Sequence, residues 1–151
     1  MSCASHPKTL ETQRAISASE EEIFAAFERP ELLSQWWGPK GFTNSFETFE
    51  FHPGGRWVFT MHGPNGIDYP NECRFRELVP GRKVVIEHVV EPWFTLTVTL
   101  TPRGNQTHLA WAQEFESAEV AAKFRPLCSG PNEENLDRLE EVLARGAVGQ
   151  K

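Results

Sequence analysis

PNEENLDRLEEVLAR, residues 131–145, is the stretch whose reading decides the fold. Leu136, Leu139, Val142 and Leu143 recur at three- and four-residue spacing, so they share one stripe of a helix, with Asp137, Arg138, Glu140 and Glu141 elsewhere around it. At about 1.5 Å per residue the segment makes a rod of roughly 20 Å, the width of several strands side by side. An amphipathic rod of this kind needs an apolar face to cover.

That face lies upstream. From Gly41 onward the period of the apolar residues is two. Gly41 to Phe51 reads as a strand, His52-Pro53-Gly54-Gly55 as a turn, and Arg56 to His62 as a strand with Trp57, Phe59 and Met61 on one face. Gly63-Pro64-Asn65-Gly66 is a hairpin signal. Ile67 to Leu78 returns, with Pro70 pointing to an edge position or a bulge. Lys83 to Val90 puts Val84, Ile86, His88 and Val90 on one face, and Trp93 to Thr101 sets Phe94, Leu96, Val98 and Leu100 against a row of threonines. Thr107 to Phe115 then turns Leu109, Trp111, Gln113 and Phe115 inward.

Ahead of these, Thr9 to Ile16 reads as a first strand. Ser19-Glu20-Glu21-Glu22 is a capping box opening a helix that buries Ile23, Phe24 and Phe27. Pro30 starts a second short helix through Trp36. Behind the sheet, Ser117 is expected to cap a short helix ending at Phe124, with Arg125-Pro126 and Ser129-Gly130-Pro131 breaking it from the last one. Runs of strands rather than βαβ alternation predict an antiparallel α+β fold. One domain over residues 9–147 is expected, with tails at 1–8 (taken as disordered) and 148–151; 151 residues suffice to bury roughly two-thirds of the unfolded surface.

Charge narrows the partners. Fifteen basic against twenty-one acidic residues give a net charge of -6 and no basic run, which argues against nucleic acid or an anionic membrane. No apolar stretch approaches the roughly 18 residues of a transmembrane helix, and Met1 to Lys8 lacks the apolar core of a signal peptide. Three widely spaced cysteines, Cys3, Cys73 and Cys128, form no disulfide framework, so a reduced, cytoplasmic setting is expected.

Together, Pro30-Glu31-Leu32 leading to Trp36-Trp37-Gly38-Pro39, then Pro53-Gly54-Gly55-Arg56-Trp57, Gly66 through Tyr69, Pro80-Gly81-Arg82, the Thr107–Phe115 strand and Asn135-Leu136-Asp137-Arg138-Leu139-Glu140 carry a resemblance. In order and spacing the chain resembles the START-like or SRPBCC superfamily. Within it, the chain is similar to the AHSA-type family, named for homologues of an activator of the heat-shock-protein-90 ATPase. The resemblance covers residues 9 to 145. It implies a helix-grip fold, about seven antiparallel strands curled around the last helix, with an elongated cavity between them. The activator for which the family is named has a separate N-terminal domain and an Asn-x-Trp-His-Trp motif, neither matched here, so chaperone regulation ranks third among the functions implied.

Candidate chemistry is sparse. No histidine pair or Cys–His spacing suggests a metal, no Gly-x-Ser-x-Gly elbow is present, and no cofactor or catalytic constellation is assigned. Gly54-Gly55 joins strands and precedes no helix, so it reads as a tight turn, not a phosphate loop. Of the histidines only His88 points inward, while Glu87 falls on the solvent side and Glu72 stays open because of Pro70. The leading signal is aromatic. Trp37, Phe51, Trp57, Phe59, Phe75, Phe94, Trp111 and Phe124, with Met61, are expected to converge between sheet and helix. Tyr69, His88 and Gln113, and Asn71 if its parity holds, are the inward polar residues. Two readings of that convergence stand, a filled core and a pocket for a hydrophobic or aromatic small molecule. The second is preferred, with the Arg125–Pro131 interruptions letting the short helix act as a gate. The runner-up is a polyketide-cyclase or dehydratase-like enzyme using His88 or a buried carboxylate as base. A homodimer through exposed sheet or loops is left open.

Overall fold

The computed structural model describes residues 7–145. Apart from Pro7 and Lys8, the expected tails lie outside the described residues. The order is β1 (Thr9–Ile16), α1 (Glu20–Glu28), α2 (Pro30–Trp36), β2 (Thr43–Phe49), β3 (Arg56–His62), β4 (Asp68–Val79), β5 (Lys83–His88), β6 (Phe94–Arg103), β7 (Gln106–Phe115) and α3 (Ala118–Ala144). All seven strands form one antiparallel sheet in the order β1-β7-β6-β5-β4-β3-β2. Strands β2 to β7 form a meander, and β1 joins the far side of β7. The sheet curves around α3, with α1 and α2 filling the link between the two edge strands, as in a helix-grip fold.

Local chemistry explains most element starts. Ser19 Oγ accepts from Glu22 N at 3.1 Å while the Glu22 carboxylate accepts from Ser19 N at 2.8 Å, closing the box that opens α1. Pro30 occupies the first turn of α2, where its missing N–H costs no bond. Gly55 has no room for a side chain: a Cβ there would sit 1.8 Å from the Glu50 carbonyl oxygen. Together with Gly54 at φ +85°, it folds the β2–β3 turn onto β4, where Gly54 N donates to Phe75 O and Phe75 N to Gly55 O.

Some expected boundaries move. β2 is shorter than Gly41–Phe51, and β5 stops at His88, leaving Val90 exposed beyond the strand. Pro70 lies opposite Thr60 of β3, past the last β4–β5 pair at Cys73–His88, so on that side β4 is an edge and loses no ladder bond. The bulge in β4 falls later, between Phe75 and Glu77. Glu72 therefore keeps its outward parity, and Leu78 rather than Glu77 returns to the core.

The larger correction concerns α3. Two helices were expected, and a single 27-residue helix forms with Pro126 and Pro131 inside it. Each proline removes one intrahelical bond, but both flanks are pinned by packing. On one side Ala121 is buried and Phe124 stacks on Phe115 at 5.6 Å; on the other Leu136, Leu139 and Val142 are sealed in the core. Between Ala121 and Asn135 no residue of α3 is buried. Tertiary anchoring at both ends overrides local propensity in the middle.

Candidate functional site

Inside the grip the core divides in two. One half is solid aromatic packing: Trp57 stacks on Phe59 at 4.2 Å and lies parallel to Phe75 at 5.8 Å. Phe49 and Phe51, stacked on each other, meet Phe75 edge to face, and Phe24 of α1 meets Phe51 in the same way. The other half holds a cavity of about 210 Å³. Trp37, Pro39, Phe59, Met61, Ile86, Phe94, Leu96 and Trp111 supply its apolar lining. Asn71, Cys73, His88 and Gln113 on the strands, and Asn132 and Asn135 on α3, supply the polar groups.

Of the twelve residues expected at the site, Trp37, Phe59, Met61, His88, Phe94, Trp111 and Gln113 line this cavity. Trp57, Phe75 and Phe51 belong to the solid half, because strand parity sets which face a residue occupies and not how far along the strand the cavity lies. Tyr69 has the inward parity of its partner Met61 but sits where β4 has outrun β5, is 41% exposed, and packs on Phe42 outside the cavity. Phe124 belongs to a second cluster with Leu10, Phe115 and Ala121, facing a surface depression beside Trp93.

The closing helix also carries polar contacts that its own sequence does not announce. Asn135 accepts from Gly38 N at 3.2 Å and donates to Trp36 O at 2.8 Å. Arg138 donates to five carbonyls, those of Gln35, Trp37, Gly38, Pro39 and Phe42, at 2.8–3.3 Å. These two residues hold the Trp37–Pro39 wall of the cavity from behind. Asn132 donates to Gln113 Oε1 at 3.1 Å. Partners 19 positions away for Asn132 and about a hundred for Asn135 and Arg138 leave no local signal.

His88 stacks flat on Phe94, with ring centroids 4.5 Å apart. Its Nδ1 lies 2.8 Å from the Pro92 carbonyl and its Nε2 2.6 Å from Asn71 Oδ1. Both contacts are acceptors, so a neutral ring donates to one and only the protonated ring donates to both. Burial is the larger influence and lowers the His88 pKa; backbone carbonyls of Pro92 and Val90 act the other way. Below the ordinary value of 6.5 the unfolded chain takes up a proton that the folded chain refuses, so His88 should make stability fall as pH drops through that window. Melting temperature against pH, compared between wild type and His88→Gln, checks this: the variant should have the shallower acid slope. A wild-type protein that gains stability from His88 in acid would mean that the oxygens outweigh burial.

Of the other titratable groups only the Cys73 thiol lines the cavity. Burial pushes the Cys73 thiol up, which suppresses the nucleophilic thiolate. Glu72 pairs with Arg56 on the outer face, and Glu87 is held there, less solvated than expected, by Trp93 Nε1 at 2.7 Å and Arg76 at 3.4 Å. Ser45 Oγ, His62 and Asp68 line up at 2.7 and 2.8 Å in the order of a nucleophile, base and orienting acid. They lie on the exposed outer face of β2–β4, away from the cavity. Among the described residues no group of three or more His, Cys, Asp or Glu could hold a metal. No helix among them is long and apolar enough to cross a membrane.

A family model described as "Activator of Hsp90 ATPase homolog 1-like protein" matches residues 17–144. The chain belongs to that family. Solved structures similar to this AHSA1-like chain include a protein of Nitrosomonas europaea, 20% identical over 93% of this chain and 97% of that one, with a TM-score of 0.86. A protein of Arthrobacter aurescens is 24% identical over 93% and 88% of the two chains, with a TM-score of 0.85. One from Rhodobacter sphaeroides is 25% identical over 93% and 95%, with a TM-score of 0.83. These likenesses speak for the START-like fold of the AHSA1-like family. No curated protein matches the sequence.

Proposed function

We propose that this AHSA1-like chain binds a small apolar or aromatic molecule in the cavity between the sheet and α3. The observation that carries the reading is the cavity itself: about 210 Å³ walled by two tryptophans, two phenylalanines and aliphatic side chains, with a few polar groups among them. A dry apolar cavity of about 150 Å³ accepts benzene, so this one suits a single substituted ring. The proposed contacts are Trp37, Phe59, Met61, Phe94, Trp111 and Gln113, with His88 as a neighbour.

Geometry weighs against the enzymatic alternative. Both nitrogens of His88 are occupied by protein oxygens, and the nearby carboxylates Glu72 and Glu87 are engaged on the opposite face. A general base needs a free lone pair within reach of substrate. The family's descriptive name refers to an Hsp90 ATPase activator; an interior cavity supports a small-molecule partner instead.

Trp37 and Trp111 make the test direct. Titration with a monocyclic aromatic should quench tryptophan fluorescence saturably and shift amide resonances of β3, β5 and β7. Trp111→Ala, with its fold checked by circular dichroism, should weaken binding about tenfold, the equivalent of one lost aromatic contact of about 1.4 kcal/mol. Titrations that leave the cavity resonances unmoved would sink the reading in favour of a closed core.

A further inference from the structure

The polar atoms of the cavity are not equally available. Both nitrogens of His88 face protein oxygens, those of Pro92 and Asn71, and Asn135 is committed through both ends of its amide to Gly38 and Trp36. Gln113 differs. Its Oε1 accepts from Asn132 Nδ2 at 3.1 Å, while among the described residues nothing accepts from its Nε2. Its cross-strand neighbours, Leu10 on β1 and Leu96 on β6, have no acceptor to offer. The side chain is only 6% exposed, yet Nε2 is not among the sealed, unpartnered atoms, which are Asn44 Oδ1, Trp57 Nε1 and Trp111 Nε1. It therefore opens on accessible space, and the cavity is the space that Gln113 lines. An N–H that opens on the cavity with no protein partner is free to donate to a ligand acceptor.

No Lys, Arg, Asp or Glu lines the cavity. An ionised carboxylate or ammonium would be desolvated there without a counter-charge. We propose that the cavity selects a neutral aromatic molecule bearing a carbonyl-type oxygen, an aryl ketone, aldehyde or ester, and that Gln113 Nε2 donates to that oxygen. The proposal rests on the reading of the cavity as a ligand site and adds the chemical class and the selecting atom. Asn132 on α3 acts behind Gln113 as the positioning residue that keeps the donor end of the amide inward.

Three probes of one size test it: acetophenone, α-methylstyrene, which replaces the carbonyl oxygen by a methylene, and benzoate. Binding to the full chain is followed by two-dimensional NMR titration. Acetophenone should bind about tenfold more tightly than α-methylstyrene, the worth of one neutral hydrogen bond, and benzoate more weakly than acetophenone. In Gln113→Leu the gap should close because the ketone loses affinity while the hydrocarbon keeps it; Gln113→Met serves if the leucine variant does not fold. Equal affinities for ketone and hydrocarbon in the wild type, or a gap that survives in the variants, would overturn the role of Gln113 while leaving the cavity as a hydrophobic site. Failure of all three probes to bind would remove both the cavity reading and this inference.

Discussion

Arg138→Met should melt roughly 10 °C below the wild-type protein. The guanidinium gathers the carbonyls of Gln35, Trp37, Gly38, Pro39 and Phe42, which leave α2 pointing in converging directions and have no strand to pair with. Arginine meets this need because its N–H groups fan out from one rigid plane. Methionine keeps the aliphatic stem but removes the donor; Trp37 O retains Asn44 Nδ2 and Pro39 O retains Phe42 N, while the other three carbonyls lose this partner. Stranded acceptors cost about 1–3 kcal/mol each when fully buried, and water can reach several of these, so a total near 3 kcal/mol is expected. At about 2–4 °C per kcal/mol for a domain of this size, that gives the stated shift in a calorimetric or circular-dichroism melt. Arg138→Lys should fall between, since an ammonium has three donors and no fixed fork. A methionine variant melting within 2 °C or so of wild type would show the five bonds to be incidental. Because the same carbonyls belong to the Trp37–Pro39 wall, ligand affinity should drop along with stability.

Trp57→Ala is expected to be more damaging still. Trp57 is fully buried, stacks on Phe59 and Phe75, and meets Trp37, Phe46 and Phe49 edge to face. Truncating a buried aromatic to alanine costs about 3–5 kcal/mol through lost burial and the void left behind, and stacking with several rings places this site at the upper end. A fall of roughly 10–15 °C in melting temperature follows. Trp57→Phe should recover much of it, helped by removal of an indole N–H that has no partner. Phe59 and Trp37 separate the new void from the existing cavity, so the alanine variant should also admit larger rings than the wild type. A variant that melts like wild type and refuses larger probes would mean that the surrounding rings had collapsed into the space.

What the sequence disclosed and what it hid follow from physics. Alternation along Phe94–Leu100 and Leu109–Phe115 assigned the inner face because a strand has only two faces, and both runs are inward in the fold. The box at Ser19 was legible because its partners are three residues apart. Parity could not say how deep along each strand the solid half gives way to the cavity, so Trp57 and Phe75 were grouped with Phe59 and Trp111. Nor could it see that β4 outlasts β5, which carries Tyr69 past the rim. The polar roles of Asn132, Asn135 and Arg138 depend on partners brought together by the chain's closure. Two prolines in α3 read as stops because local rules cannot weigh Phe115 and the buried Leu136 holding either side.

That proline-bearing stretch of α3 has a kinetic consequence. It is short of two backbone bonds, has no buried residue between Ala121 and Asn135, and contributes Pro131 and Asn132 to the cavity lining. The wall is thus weakest where it faces a guest, and firm at its two ends. On the proposed ligand reading, exchange with solvent should proceed by brief local loosening of the helix centre while the sheet stays whole. The residence time of a guest would then follow how often one turn of α3 lets go, a rate that substitutions at Pro126 or Gly130 should change without touching any proposed contact residue.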